Sequence, residues 1–295
     1  MLSRILVPLA VVAAVLSAPR PALAIANGAD ARTGAFDFSV LLEMTGLPAD
    51  GGGTRDSSCS GALIAPSWVI TAGHCFRDAS GQRVGRTVAE KTTAIIGRTA
   101  LKTFHGYEVS VVAVHQAAHT DVALAELASP ITGITPIPLA TTAPITGEVL
   151  RLTGFGLTAD GTPPSRMQTG LFTVGGVNES TLEASGRSPH ADTSPCPHDS
   201  GGPYFREEPL ALVAVVSTGP GCPHPGPDYS ARVDNLGEWI AGTMTPSSWR
   251  PWTAAGVLVA AAVLVAIGYR RAHVRPRRRA PGDPAAFAAD LSRAP

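Results

Sequence analysis

Lysine is nearly missing from this chain: Lys91 and Lys102 stand against 21 arginines. Aromatic residues are scarce at 5 %, and long amphipathic runs of helical period are few. Glycine (31) and proline (26) are abundant in the 295 residues. That combination disfavours a helical bundle and suits a β-rich, loop-rich fold. Positive charge is also outnumbered in the body of the chain. The formal net charge is zero, but residues 270–295 hold seven Arg against two Asp, and residues 1–24 hold two Arg and no acid. The stretch between them is therefore acidic by about seven charges. An acidic body argues against nucleic acid as the partner. The preference for Arg over Lys reads as the codon bias of a GC-rich, bacterial genome.

Cysteine is sparse. Cys59, Cys75, Cys196 and Cys222 include no pair at C-x-x-C spacing, which speaks against a metal site. An even set in an exported chain favours two disulfides. No metal ion and no cofactor is expected.

What is present begins at the two ends. Residues 1–24 have a basic start, an apolar run from Ile5 to Ala18 and an A-x-A end at Ala22-Leu23-Ala24. This is the pattern of a cleaved secretory signal peptide. Residues 253–269 contain no charge and are flanked by Trp249, Trp252 and Tyr269. At 1.5 Å per residue such a run can cross a hydrocarbon core of about 30 Å as a transmembrane helix. The Arg-rich tail 270–295 places its C-terminal side in the cytoplasm. The expected order is signal peptide 1–24, exported body 25–245, linker 246–252, membrane helix 253–269 and cytoplasmic tail 270–295. The body would then stand outside a cell membrane.

Within the body, short β-branched runs alternate with Gly/Pro turns: Phe38–Leu42, Ala62–Ile64, Trp68–Thr71, Thr93–Ile96, Val109–Val114, Val122–Leu127, Val149–Leu152, Leu171–Val174 and Leu210–Val216. This spacing predicts an all-β sandwich or a pair of barrels. Residues 233–243 read as a short helix with Leu236, Trp239 and Ile240 on one face. Residues 46–58 and 185–195 read as surface loops.

Three segments carry chemistry: Ser60 to Cys75 (S-G-A-L-I-A-P-S-W-V-I-T-A-G-H-C), Thr120 to Leu127 (T-D-V-A-L-A-E-L) and Cys196 to Pro203 (C-P-H-D-S-G-G-P). Acyl transfer to water needs a hydroxyl nucleophile, an imidazole to take its proton and a carboxylate to orient the imidazole. Ser200, His74 and Asp121 supply these types. Asp56 and Asp78 are rival carboxylates.

At these residues the chain resembles the chymotrypsin-like (trypsin-fold) serine protease family over about 25–245. Thr71–Cys75 resembles the T-A-A-H-C box, with Gly73 in place of the second Ala. Asp121–Leu124 resembles the D-[IV]-A-L box, and His198–Pro203 resembles G-D-S-G-G-P. Gly154-Phe155-Gly156 looks like the G-W-G turn. Val216–Gly219 with Gly221-Cys222 looks like V-S-W-G…G-C, a strand that holds substrate backbone through residues such as Ser217 and Gly219. The resemblance implies two six-stranded antiparallel β-barrels with the site between them, and a serine endopeptidase acting on protein or peptide substrates. It implies the disulfides Cys59–Cys75 and Cys196–Cys222. It also implies an oxyanion hole from the N–H groups of His198 and Ser200, where His198 replaces the family's Gly. Ile25-Ala26-Asn27-Gly28 resembles I-V-G-G, which implies an activating ion pair between a freed Ile25 ammonium and Asp199. Cleavage after Ala24 would free that terminus.

The specificity pocket is mixed. Ser194 stands where the trypsin branch has Asp, as in branches that prefer large apolar residues. An ungapped alignment of Pro227–Val233 places Asp228 at a pocket-lining position, where a carboxylate would favour Arg or Lys before the cut. A shifted alignment on Pro225-Gly226 would move it to the rim. His198 keeps open the alternative of a catalytically weak or inactive binding module at the cell surface.

Overall fold

The computed structural model describes residues 25–49, 51–158 and 161–245. The expected signal peptide, linker, membrane helix and tail lie outside these residues. No helix among the described residues is long and apolar enough to cross a membrane.

Thirteen strands and one helix make up the described body: β1 (Ala29–Asp30), β2 (Ser39–Pro48), β3 (Thr54–Ala65), β4 (Trp68–Ala72), β5 (Lys91–Ile96), β6 (Tyr107–Gln116), β7 (Val122–Leu127), β8 (Val149–Gly154), β9 (Gln168–Val177), β10 (Thr181–Ser188), β11 (Pro203–Glu207), β12 (Leu210–Thr218), β13 (Pro227–Arg232) and α1 (Gly237–Met244). β2 to β7 close into an antiparallel barrel in the order β2-β3-β4-β7-β6-β5, with β2 pairing β5. β8 to β13 form the second in the order β9-β10-β13-β12-β11-β8, closed by the pairing of β8 with β9. Closure leaves no long unpaired edge. β1 is laid against β9 outside that ring.

The alternation of the strands explains the cores. Val40, Leu42 and Met44 of β2 are buried with Ala94 and Ile96 of β5 in one cluster. Leu150, Leu152, Phe172, Val174 and Val213 fill the other. Phe205 and Phe38 join the barrels edge to face at 5.2 Å between ring centroids, a favoured aromatic geometry. The expected helix face is present: Ile240 is buried, and Leu236 and Trp239 pack beside it.

Three expectations need correction. Segment 46–58 is not all loop, because β2 runs to Pro48 and β3 starts at Thr54. Segment 185–195 begins inside β10. The strands β10, β11 and β13 were not expected at all. In β10 and β13 the inward positions include small or polar residues such as Ala184, Asp228 and Ser230, so the hydrophobic alternation is too weak to announce them, and β11 is a five-residue strand that opens on Pro203.

Candidate active site

β4 ends at Ala72 and the chain turns through a 3-10 turn, Gly73–Cys75, tied to β3 by the Cys59–Cys75 disulfide. β7 pairs with β4 so that Val122 faces Ala72. That register puts Asp121 beside the turn, and Gly73 N–H donates to the Asp121 carbonyl at 3.1 Å. His74 N–H then reaches Asp121 Oδ1 at 2.8 Å, and its Nδ1 reaches Oδ2 at 2.6 Å. Ser217 at the end of β12 donates its hydroxyl to the same Oδ2 at 2.7 Å. Burial pushes this carboxyl's pKa up, but the hydrogen bond and charge of His74 and the Ser217 hydroxyl overrule it and hold Asp121 down at about 2.

Ser200 comes from the second barrel, in the turn before β11. Its carbonyl accepts from Ser60 N–H at 2.8 Å, and its Oγ lies 2.8 Å from His74 Nε2. Gly201 has φ +83°, and a Cβ there would strike Thr71 Oγ1 and the Ser60 carbonyl. Only glycine fits so close an approach in that backbone region. The rival carboxylates are elsewhere: Asp56 accepts from Gly46 N–H, and Asp78 from Ser80 and Gln82.

His198 has φ +79°, a conformation uncommon for a residue with a Cβ. Its imidazole is seated against Ser58, with Nδ1 2.9 Å from the Ser58 carbonyl, 3.0 Å from Ser58 Oγ and 3.1 Å from Ser58 N, while the His198 carbonyl accepts from Ser60 Oγ at 3.1 Å. The backbone N–H groups of His198 and Ser200 have no protein acceptor among the described residues.

Ile25 is buried in the second barrel. Its backbone N–H contacts Asp199, which also accepts from Gly156 N–H at 2.7 Å and Cys196 N–H at 2.9 Å. Asp199 is fully buried, and burial pushes its pKa up to about 7 despite these donors. Ala26 pairs with Ser194 across an isolated bridge, and Ser194 N–H donates to the Ala26 carbonyl at 3.1 Å.

The Cys196–Cys222 disulfide is formed. Near it, Asp228 on β13 is 3 % exposed and packs so closely on Gly219 that a Cβ on that glycine would collide with the carboxylate. Asp228 therefore faces the 217–219 strand end rather than the rim. It already has a partner: His224 Nε2 is 3.2 Å from its Oδ1, and His224 N–H donates to Ser194 Oγ at 3.2 Å. Burial raises Asp228 to about 6 against the opposing charge and hydrogen bond of His224.

The cleft opens on both sides of His74. A cavity of about 820 Å³ is lined by Asp121, Arg83, His119, Ser217 and Thr218. One of about 330 Å³ is lined by Arg55, Arg77, Ser58, His198 and Ser200. The structure places the expected His74, Asp121 and Ser200 within hydrogen-bond reach of one another. Sequence reasoning missed His224 and Arg83, which belong to no motif. The only signal for Arg83 was the odd Gly73.

A family model described as Trypsin matches residues 25–240. Serine protease 56 of Mus musculus is 29 % identical over 257 residues, covering 77 % of this chain and 40 % of that protein. Serine protease 56 of Homo sapiens is 30 % identical over 260 residues with the same coverage. The chain thus spans about two fifths of the length of these two relatives. Trypsin alpha of Drosophila melanogaster is 24 % identical over 242 residues, covering 74 % of this chain and 87 % of that protein. Among solved structures, neuropsin, a serine protease expressed in the limbic system of mouse brain, aligns with a TM-score of 0.59 at 21 % identity, covering 74 % of this chain and 99 % of that one. HL collagenase aligns with a TM-score of 0.61 at 24 % identity, covering 74 % and 97 %. These two likenesses concern the fold alone. The relatives named here are animal proteins and lend no support to the bacterial type inferred from arginine usage. On a match that covers more than half of the chain, carried by two barrels and two disulfides, this chain belongs to the trypsin family of serine proteases.

Proposed function

We propose that this chain is a serine endopeptidase that cuts peptide bonds through an acyl-enzyme on Ser200. One observation carries the reading: the His74 imidazole spans from Asp121 Oδ2 at 2.6 Å to Ser200 Oγ at 2.8 Å. With the Nδ1 proton directed at the carboxylate, Nε2 is the acceptor for the serine proton. Ser200 Oγ attacks the substrate carbonyl and its proton passes to Nε2. The oxygen that becomes negative takes the free N–H groups of His198 and Ser200. Nε2 then gives the proton to the leaving amine as the C–N bond breaks, and water repeats the cycle on the ester. Asp121 stays ionised throughout and steadies the imidazolium. The substrate's backbone would lie along Ser217 to Gly219, with its side chain toward Ser194 and Asp228.

The surroundings of Asp199 support activation by a new terminus at Ile25. A buried carboxyl with only amide donors rises to about 7. A free ammonium at Ile25 would supply the missing cation, as cleavage after Ala24 provides. The sequence further supports export by residues 1–24 and tethering by residues 253–269, with the 270–295 tail inside. Protease added to intact cells would then release a fragment ending near residue 250. An ectodomain reached only after lysis counts against that orientation.

The test of the catalytic reading is fluorophosphonate labelling of the mature chain, verified by N-terminal sequencing to begin at Ile25, with mapping of the adduct. A phosphonyl group on Ser200 supports it. A native but unlabelled chain favours the alternative, a binding module on a protease fold.

A further inference from the structure

Gly73, the departure from the family's second Ala, marks a space that the chain fills from elsewhere. A Cβ built on Gly73 would lie 2.7 Å from Arg83 Nη1, 2.6 Å from Gln116 Oε1 and 3.1 Å from Asp121 Oδ1. The guanidinium therefore occupies the volume that an alanine methyl would take. It is held there. Arg83 Nη1 donates to the Thr120 carbonyl at 2.5 Å and stands 3.7 Å from Asp121 Oδ1.

The chain leading to Arg83 is built to return to this point. Asp78 accepts from Ser80 N–H and Gln82 N–H, closing a tight turn. Arg77 and Arg83 then form a bridge, and Val84 N–H donates to the Phe76 carbonyl at 2.9 Å. Gln116 Nε2 fastens both strands of the approach, donating to the Gly73 carbonyl at 2.9 Å and the Val84 carbonyl at 3.2 Å. Arg83 is thus fixed beside the carboxylate that orients His74, on the oxygen not bonded to the imidazole ring.

We propose that Arg83 is a positioning residue that acts on His74 through Asp121, and that Gly73 is the small residue that admits it. This rests on the serine endopeptidase reading of the site. The physical effect is on charge. The protonated imidazole and the guanidinium share one carboxylate, so each weakens the hold of Asp121 on the other. A fixed cation beside that carboxylate opposes the positive charge that the imidazole gains when it takes a proton. Besides Asp121, the charged or titratable side chains that line this cavity among the described residues are His74, Arg77, Arg83 and His119. Ser217, facing Asp121 from β12, is neutral. Arg83 and Asp121 are 29 % and 23 % exposed in their side chains, so water screens the effect in part.

The experiment is the second-order rate of fluorophosphonate labelling of Ser200 as a function of pH, on the mature chain that begins at Ile25. Arg83→Gln should move the midpoint of the acidic limb up by roughly half to one pH unit. Arg83→Lys should keep it near the wild-type position. Gly73→Ala provides a second route that leaves the arginine in the chain. Its methyl meets three side-chain ends, those of Gln116, Arg83 and, least closely, Asp121, and no backbone, so the fold is retained, and with the arginine displaced the limb should rise as for Arg83→Gln. If Arg83 merely fastened the Thr120 carbonyl, labelling would slow equally at every pH. An unmoved limb in both variants overturns the proposal and leaves the catalytic reading standing. A wild type that does not label overturns the catalytic reading, and this proposal falls with it.

Discussion

Each barrel contributes a carboxylate next to the reactive centre, and the two are held in opposite states. Asp121, at the head of β7, is partly exposed and meets a hydroxyl, a backbone N–H and an imidazole, and it is held at about 2. Asp199 is completely buried among backbone N–H groups and rises to about 7. Burial opposes ionisation at both sites, but it is deeper at Asp199, and only Asp121 has an imidazole and a hydroxyl as partners. The first barrel's carboxylate has its partners in place, one of them the Ser217 hydroxyl from β12 of the second barrel. The second barrel's half contains a carboxyl that still needs a cation.

The largest effect should come from breaking the first barrel's half. Asp121→Asn keeps the shape but loses the acceptor that selects the imidazole tautomer, and kcat/KM should fall by about 10⁴-fold. Steady-state kinetics on a peptide substrate check this, and a loss below tenfold would mean that Asp121 is not the orienting group.

That half was also the legible one. Two short motifs named His74 and Asp121 there, and a third named Ser200 in the second barrel, because such chemistry needs fixed residue types in fixed local settings. The strand β7 was read to its exact ends because Val122 to Ala125 are apolar without interruption and buried. The second half was harder to read. β13 carries Asp228 and Ser230 at buried positions, and polar residues there erase the pattern that announces a strand. His224 was invisible because its partner is made by a turn, and Arg83 because a loop returns it to a glycine ten residues earlier. Asp199 was named by resemblance, but its lack of a cation is a property of three-dimensional burial.

The next effect sharpens the contrast at Asp199. A carboxyl raised in the folded state favours folding while protonated. In a chain still joined at Ala24–Ile25, that contribution is fully present below the unfolded value near 3.9 and is lost as pH rises through about 7. A chain beginning at Ile25 has the ammonium to hold the ionised form, so it should keep its stability over the same window. Thermal melts of the two forms from pH 4 to pH 8 should diverge toward the alkaline end. The Ile25 form should lose activity only as its ammonium deprotonates, above about pH 8. Parallel melting curves would remove the ion pair from the account.

A smaller effect is expected at Asp228. With His224 beside it, the carboxylate already has a cationic or hydrogen-bonding partner, which counters the preference for Arg or Lys expected from Asp228 alone. His224→Ala should uncover the charge and raise the ratio of Arg to Phe cleavage by about tenfold or more. An unchanged ratio, measured with paired substrates, would place this pair away from the substrate side chain.

The most direct measurement is peptide-library hydrolysis by the full chain and by Ser200→Ala, purified side by side. The account predicts cleavage by the wild type and a rate lower by several orders of magnitude in the variant, with the two melting alike, because one hydroxyl is lost and packing barely changes. Equal hydrolysis by both, or none by a natively folded wild type with a free Ile25, would contradict it.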